Sequence, residues 1–490
     1  MNTPTCRVLR LSIAWLLVAA GARSAQAVEI RVGAAEIDIT PAEPVALAGN
    51  FSTRISKTPD TPIVAAALAI ESRPASGRAE HAIIVTCDLV AIRDGLQQLF
   101  RDRLQARLPA VDARRVLLTA THTHTAPLTM ELREGRYKYD LPTQGMIQPD
   151  AYVDLLLGRL VDVTVQAWER RSDAGVSWTL GHATVGHNRR AVYRDGRAQM
   201  YGKSSLPDFR GFEGSEDSGV ETLFFWNQAR ELVAVAVNLA CPAQSVETKR
   251  TLDADFWHDV RLELRKKFGL RNLVVLGWTS AAGDQSPHVQ YRKAAEERMI
   301  KARGLTYRQE LGRRISTAVF ETLDVAKSEI HTDVPFVHTV TDLSLPPRRI
   351  LEREYLQSKG NLGGWMQKSD LYSQTMAHRE REILRRYEQA DREPPYPVEL
   401  HVIRLGDIAI ATNPFELYLD YGVQIKARSP ALQTFVVQHA TNAGLYLPTE
   451  KAIAGGGYSG LPHTNLVGPE GGQILVDRTV QAIQALWAAK

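Results

Sequence analysis

The sequence predicts an α/β fold, and three observations carry that prediction. Apolar runs of strand length recur along the chain, stretches with helical spacing lie between them, and several runs end abruptly in polar residues. The polar ends matter most, because open α/β sheets place their sites beyond the carboxyl ends of strands. With 490 residues the chain can bury the core of one large domain or of two ordinary ones.

Residues 30–40 and 63–71 read as strands, separated by a loop at 49–61 rich in Gly, Ser and Thr. A third strand at 82–87 ends at Asp88, and 96–108 has helical spacing. Residues 152–171 give the clearest helix, with Leu157, Val161, Val165 and Trp168 on one side. Between 176 and 237 the pattern is strands with turns such as Arg194-Asp195-Gly196. A strand at 233–240, a helix at 253–264, a strand at 273–276 and a helix at 307–325 follow. The stretch 348–393 is highly charged, and the alternating signs of 379–386 read as a solvated helix face. Pro394-Pro395-Tyr396-Pro397 ends it. Strands at 398–405 and 407–412 turn at Gly406, and Pro414 reads as a helix start with Glu416 in the first turn. A last strand at 435–438 and a helix at 479–489 complete the pattern.

The first residues predict an export signal rather than part of the fold. Arg7 and Arg10 form a basic region, 11–20 a short apolar one, and Ala25-Gln26-Ala27 a cleavage site, so the mature chain is expected to begin near Val28. That apolar run is too short to span a bilayer. A periplasmic or secreted location follows as an expectation. Losing Arg7, Arg10 and Arg23 takes the formal net charge from +4 to +1, which gives no electrostatic reason to expect nucleic acid or more than peripheral membrane contact. Cys6 leaves with the signal. Cys87, on a buried strand, reads as a core thiol; it could pair with Cys241, but two cysteines make no disulfide scaffold.

The stretch 116–127, VLLTATHTHTAP, reads as a buried strand ending in His122 and His124. On an extended chain, positions i and i+2 share a face, so both imidazoles reach one site. The strand at 233–240 runs into Cys241-Pro242-Ala243-Gln244, and that at 273–276 enters the small-residue loop 279–288. Imidazole, carboxylate and thiolate are the ligand types zinc prefers, so these residues alone suggest a metallohydrolase.

The motifs resemble those of neutral, non-lysosomal ceramidases. Residues 121–127, THTHTAP, are similar to the family's HTHSGP, and Gly283-Asp284-Gln285-Ser286-Pro287-His288 to its GDVSPN. Residues 34–41 resemble the opening ADIT segment, Asn188-Arg189 the NR segment, and Asn413-Pro414-Phe415-Glu416 the PGE segment; Tyr446 and Tyr458 keep the spacing of the family's two site tyrosines. The resemblance implies one large catalytic domain over 28–490, with mixed β-sheets, flanking helices and a charged helical insertion at about 348–397. It leaves no room for the C-terminal β-sandwich domain of characterised members. It also implies a Zn2+ site with His122, Glu416 and Tyr446 as ligands, and places Cys241 where the family has its second metal histidine. Gln244, Asp255 and His258 are other possible site residues.

The implied reaction is attack of a zinc-activated water on an amide carbonyl, with His124, Arg189 and Tyr458 stabilising the oxyanion or moving protons. Ser286 matches the serine proposed as the family's nucleophile and could equally be a hydrogen-bonding residue of a tight loop. Ceramide is the leading substrate implied, followed by other N-acyl lipids or unrelated amides. Two alternatives stand beside this: a catalytically silent binding protein on the same fold, motivated by Cys241, and a metal-independent serine amidase using Ser286.

Overall fold

In the computed structural model, which describes residues 27–74, 79–93, 95–129 and 139–488, twelve strands form one mixed sheet. They are β1 (Ala27–Asp38), β2 (Val64–Arg73), β3 (His81–Cys87), β4 (Val116–Ala120), β5 (Ser172–His182), β6 (Gly219–Asn227), β7 (Leu232–Leu239), β8 (Val274–Thr279), β9 (Asp333–Leu345), β10 (Tyr396–Leu405), β11 (Ile408–Thr412) and β12 (Gln433–Val437). The order is β8-β7-β6-β5-β1-β9-β10-β11-β12, with β2, β3 and β4 branching from β1. Only β7–β8, β3–β4 and β11–β12 are parallel pairs. β1 is the hub because its length is shared: Glu29–Asp38 pairs with β2, while its first residues pair in turn with β9 and β5.

The sheet folds around a central core to which every strand contributes, including Leu68, Trp178, Phe225, Leu276, Ile410 and Phe435. Helices cover the outer faces. α1 (Leu96–Arg107) and α2 (Pro149–Glu169) pack on β2 and β3, and α3 (Phe256–Phe268) packs with α5 (Tyr307–Glu321) on β6 and β7. α8 (Leu419–Arg428) and α9 (Pro469–Ala488) pack on β10 and β11. This explains why β2 is apolar almost throughout instead of alternating: Ala65, Ala67 and Ala69 face the α2 side, and Ala66, Leu68 and Ile70 the central core. α4 (Lys293–Ala302) lies before α5, and α6 (Glu352–Met366) and α7 (Leu371–Glu388) form a helical hairpin.

Local chemistry fixes the helix ends. Asp255 caps α3 by accepting from Phe256 N, and Gly269 at φ 69° closes it behind Arg265, Lys266 and Lys267. Thr306 and Gln309 form a capping box on α5. No helix among the described residues is long and apolar enough to cross a membrane. The segment read as an export signal lies outside the described residues, except for Ala27.

Three expectations change. The strand bearing the histidine pair stops at Ala120, and His122 has left-handed backbone at φ 66°. Glu416 is not in a helix but in a two-residue strand, Glu416–Leu417, parallel to Tyr446–Leu447; α8 starts only at Leu419. The charged stretch 379–386 is only partly a solvated face: Arg381 is exposed and Glu382 and Arg385 are half-exposed, but Arg379, Glu380 and Arg386 are buried. Arg386 donates to the carbonyls of Pro462, Asn465 and Arg348. Strand β9 and helix α4 had no clear signal in the sequence pattern; β9 buries alternate residues only as far as His338, and its second half is half-exposed or exposed until Leu345.

Candidate metal and catalytic centre

Five strands deliver the site from their carboxyl ends. β4 leads to His122 and His124, β7 to Gln244, β8 to the loop 279–288, β11 to Glu416, and β12 to His439 and then Tyr446. The ends are stitched together: Ala120 N donates to His439 O, Ser280 N to Leu239 O, Gln438 N to Thr279 O, and Asn413 N to Val437 O. Convergence of strand ends is where this layered architecture concentrates polar groups.

His122 is held on three sides. Its backbone N donates to Leu89 O, its ring stacks on His439 with centroids 4.2 Å apart and planes at 2°, and its Nδ1 lies 2.6 Å from Val90 O. A carbonyl only accepts, so Nδ1 carries the proton and Nε2 keeps its lone pair in the neutral ring. Nε2 lies 3.1 Å from His124 Nε2 and 3.7 Å from Glu416 Oε2.

His124 has the same tautomer for a different reason. Arg189 Nη1 donates to Gln244 Oε1 at 3.3 Å, which turns the amide N–H of Gln244 toward His124 Nε2 at 2.6 Å. His124 Nε2 therefore accepts. Burial pushes both imidazoles below the ordinary value, His124 further, and Glu416 opposes the shift at His122. The acceptor nitrogen of His124 is thus taken up by Gln244, with no proton left to bridge the two rings, while His122 Nε2 keeps its lone pair beside the Glu416 carboxylate.

The loop carrying His124 is fixed by Arg54, whose guanidinium donates to the carbonyls of Ala48, His124, Glu247 and Lys249. Gly49 sits at φ 85°, and a Cβ there would lie 2.6 Å from His124 Cγ. Gly283 is needed for a similar reason: a Cβ would meet Glu416 O at 2.2 Å. Asp284 is structural, bonded to Asn188 Nδ2 and to Leu419 N, the first residue of α8.

Tyr446 is buried opposite the histidines. Burial pushes its phenol well above the ordinary range, and Glu416 reinforces this while Arg189 opposes it. Arg189 Nη2 donates to Tyr446 Oη at 3.1 Å and to Gly283 O at 2.9 Å. The adjacent Arg190 pairs with buried Glu213 at 2.7 Å and donates to Ser459 Oγ and to the carbonyls of Ala452 and Gly456. That pair anchors the glycine-rich loop presenting Tyr458, whose ring meets Tyr446 edge-on at 5.9 Å. Together these residues wall a cavity of about 360 Å³.

The structure thus gathers His122, His124, Arg189, Glu416, Tyr446 and Tyr458 around one cavity, with Gln244. It does not bring Cys241 there. The Cys241 thiol is fully buried, lies 3.4 Å from Val185 O, packs with Val185, Val237 and Trp257, and is pushed well above its ordinary pKa by burial. Cys87 and Cys241 are both free. Ser286 is also buried off the cavity: its Oγ shares a hydrogen bond with Tyr201 Oη at 3.1 Å and accepts from His288 N, and among the described residues no imidazole or carboxylate is hydrogen-bonded to it as a base. Asp255 is the cap of α3, its carboxyl raised to about 6 by burial, and His258 lies on that helix. His439, Tyr201 and Arg54 were missed. Each is isolated in sequence, and only the fold brings it to the site.

Among the described residues no three His, Cys, Asp or Glu side chains form a metal-holding cluster on their own. The phenol of Tyr446 adds a further donor. Donor atoms around a tetrahedral ion with ligands at 2.0–2.1 Å lie about 3.3–3.4 Å apart. The 3.7 Å between His122 Nε2 and Glu416 Oε2 is close to that edge.

No protein-family model and no curated protein matches the chain. Its fold matches that of solved structures: the neutral ceramidase from Pseudomonas aeruginosa, at 18% identity and TM-score 0.64 over 93% of this chain and 75% of that one. A ceramidase complexed with C2 matches at 17% identity and TM-score 0.65, over 94% and 76%.

Proposed function

We propose that this chain, which has the neutral ceramidase fold, is a metal-dependent amide hydrolase of N-acyl substrates, ceramide-like lipids foremost. The observation that carries the reading is His122 Nε2, a buried acceptor nitrogen whose proton is fixed on Nδ1, 3.7 Å from Glu416 Oε2 on the cavity that Tyr446 also lines. His122, Glu416 and Tyr446 are the residues that would hold a cation there, with zinc the ion such a donor set favours. When bound, it would supply Lewis acidity toward water and an amide carbonyl at neutral pH.

The chain's own residues do the rest. Arg189 is a buried guanidinium fixed by Gly283 O and Tyr446, so its charge is available to a developing oxyanion without reorganisation. Arg189 also favours the phenolate form of Tyr446, which burial alone disfavours. Val90 O holds the His122 proton on Nδ1, the carbonyl partner expected behind a metal-binding histidine. Tyr458, edge-on to Tyr446, is placed to pass a proton to the departing amine. The first 27 residues support export as the setting for this activity.

The test is hydrolysis of N-acyl amides by purified protein before and after chelation. Chelation is expected to abolish turnover, with recovery on adding zinc, while Ser286→Ala retains metal-dependent activity. Turnover that survives chelation and is lost in Ser286→Ala would sink this reading in favour of a serine amidase.

A further inference from the structure

Gln438 and His439 follow β12 directly, and both are buried. Neither is among the described residues that wall the cavity at the candidate centre. Gln438 nevertheless reaches three parts of that centre through one amide group. Its Oε1 accepts from Leu417 N at 3.0 Å and from Ala282 N at 3.2 Å. Two backbone donors on one oxygen fix which end of the amide is which, because the flipped amide would set N–H groups against N–H groups. Its Nε2 therefore donates to His439 Nε2, 2.8 Å away. Leu417 N belongs to the peptide that follows Glu416, and Ala282 to the loop 279–288, whose Gly283 N in turn donates to Leu417 O.

His439 passes this order on to His122. With Nε2 accepting, the neutral ring carries its proton on Nδ1, and Gln438 sets its plane. That plane lies 2° from the plane of His122, with the ring centroids 4.2 Å apart. The His439 backbone is equally constrained: φ is 57°, in the left-handed region, and its carbonyl accepts from Ala120 N, two residues before His122. A residue persists in such backbone where its surroundings over-determine it, and here they do so around a candidate ligand. The imidazole of His122 is thus backed by Val90 O at its edge and by His439 across its face.

We propose that Gln438 is a positioning residue that sets the spacing of His122 and Glu416, holding the first through the His439 ring and the second through the Leu417 peptide. This rests on the reading of His122, Glu416 and Tyr446 as a metal centre. Glutamine suits the position because one side chain must accept two hydrogen bonds at one end and donate at the other, which neither an ionised carboxylate nor an apolar chain of similar length does. Neighbours that orient metal ligands from behind commonly account for about tenfold to hundredfold in metal affinity.

The test titrates metal-free protein with zinc, comparing wild type with Gln438→Met, His439→Ala and His439→Phe. Ile315→Val, on the buried face of α5, shows what a loss of stability does alone and is expected to leave zinc binding unchanged. Gln438→Met and His439→Ala are expected to weaken zinc binding at least about tenfold, while His439→Phe, which keeps a ring against His122, stays within about threefold of wild type. The His122 Nδ1–H resonance gives a readout that needs no metal: it is expected to be sharp and slow to exchange in wild type and in His439→Phe, and broadened in the other two. Zinc affinity unchanged in Gln438→Met and His439→Ala, a loss matched by Ile315→Val, or His439→Phe as weak as His439→Ala overturns the positioning role and leaves the metal centre standing. No zinc bound by wild type, with the resonance responding as expected, does the reverse. No zinc bound and an unresponsive resonance overturn both.

Discussion

His122 is fixed from several sides, by a carbonyl on Nδ1, a stacked imidazole behind it, and His124 and Glu416 before Nε2. The histidine pair was legible in the sequence for a partly wrong reason. The two rings meet not because an extended strand alternates but because a left-handed residue turns the chain just beyond its end. Cys241 shows the converse: the resemblance put it at a ligand position, while its strand turns the thiol into the core, and Gln244 reaches the cavity instead. Neither outcome can be read from residue type, since both depend on the backbone after the strand ends. Gly49 tests how tightly His124 is placed. Gly49→Ala adds a Cβ at φ 85° against the His124 ring, so a loss of at least about 2 kcal/mol in stability is expected. Metal affinity should fall with it. Unchanged urea unfolding and metal binding would show that the loop can move aside.

At the scale of elements, the hairpin α6–α7 is joined to the site rather than appended to the surface. Arg386 donates to carbonyls at 462 and 465 in the segment following Tyr458, and Arg348 to Asn465 Oδ1. Asn465 in turn donates to Tyr446 O and Ser459 O. The alternating charges predicted a helix correctly. They misassigned the environment of Arg379, Glu380 and Arg386, because arginines satisfying buried carbonyls have the same sequence signature as arginines in water. Arg386→Ala leaves three buried carbonyls short of a donor and is expected to cost about 2–3 kcal/mol. Amide exchange should accelerate over 458–465 more than over α2. Equal exchange at both would mean that the hairpin merely rests on the site loop.

Across the whole molecule, the α/β class and most strands were legible because strands buried on both faces are continuously apolar, as in β2 and β3. The sheet's folding around its own core was not, because no local pattern records that Trp178, Leu276 and Phe435 share one cluster. That packing buries several histidines as neutral rings. His124, His338 and His439 are held well below the ordinary value of 6.5, chiefly by burial. The unfolded chain takes up protons at these positions as pH falls through 6.5, and the folded chain does not. Stability is therefore expected to be level above that pH and to fall below it, by up to about 1.4 kcal/mol per pH unit for each such group. A melting temperature constant from about pH 7.5 to about pH 5.5 would show that these rings are protonated in the folded state.

A metal centre of His122, Glu416 and Tyr446, with Cys241 outside it, is what the proposed function requires. Elemental analysis of the purified protein beside His122→Ala, Glu416→Ala and Cys241→Ala tests it most directly. Roughly one divalent metal ion per chain is expected in the wild type and in Cys241→Ala, with none in the other two. Metal retained in His122→Ala, or lost in a folded Cys241→Ala, would contradict it.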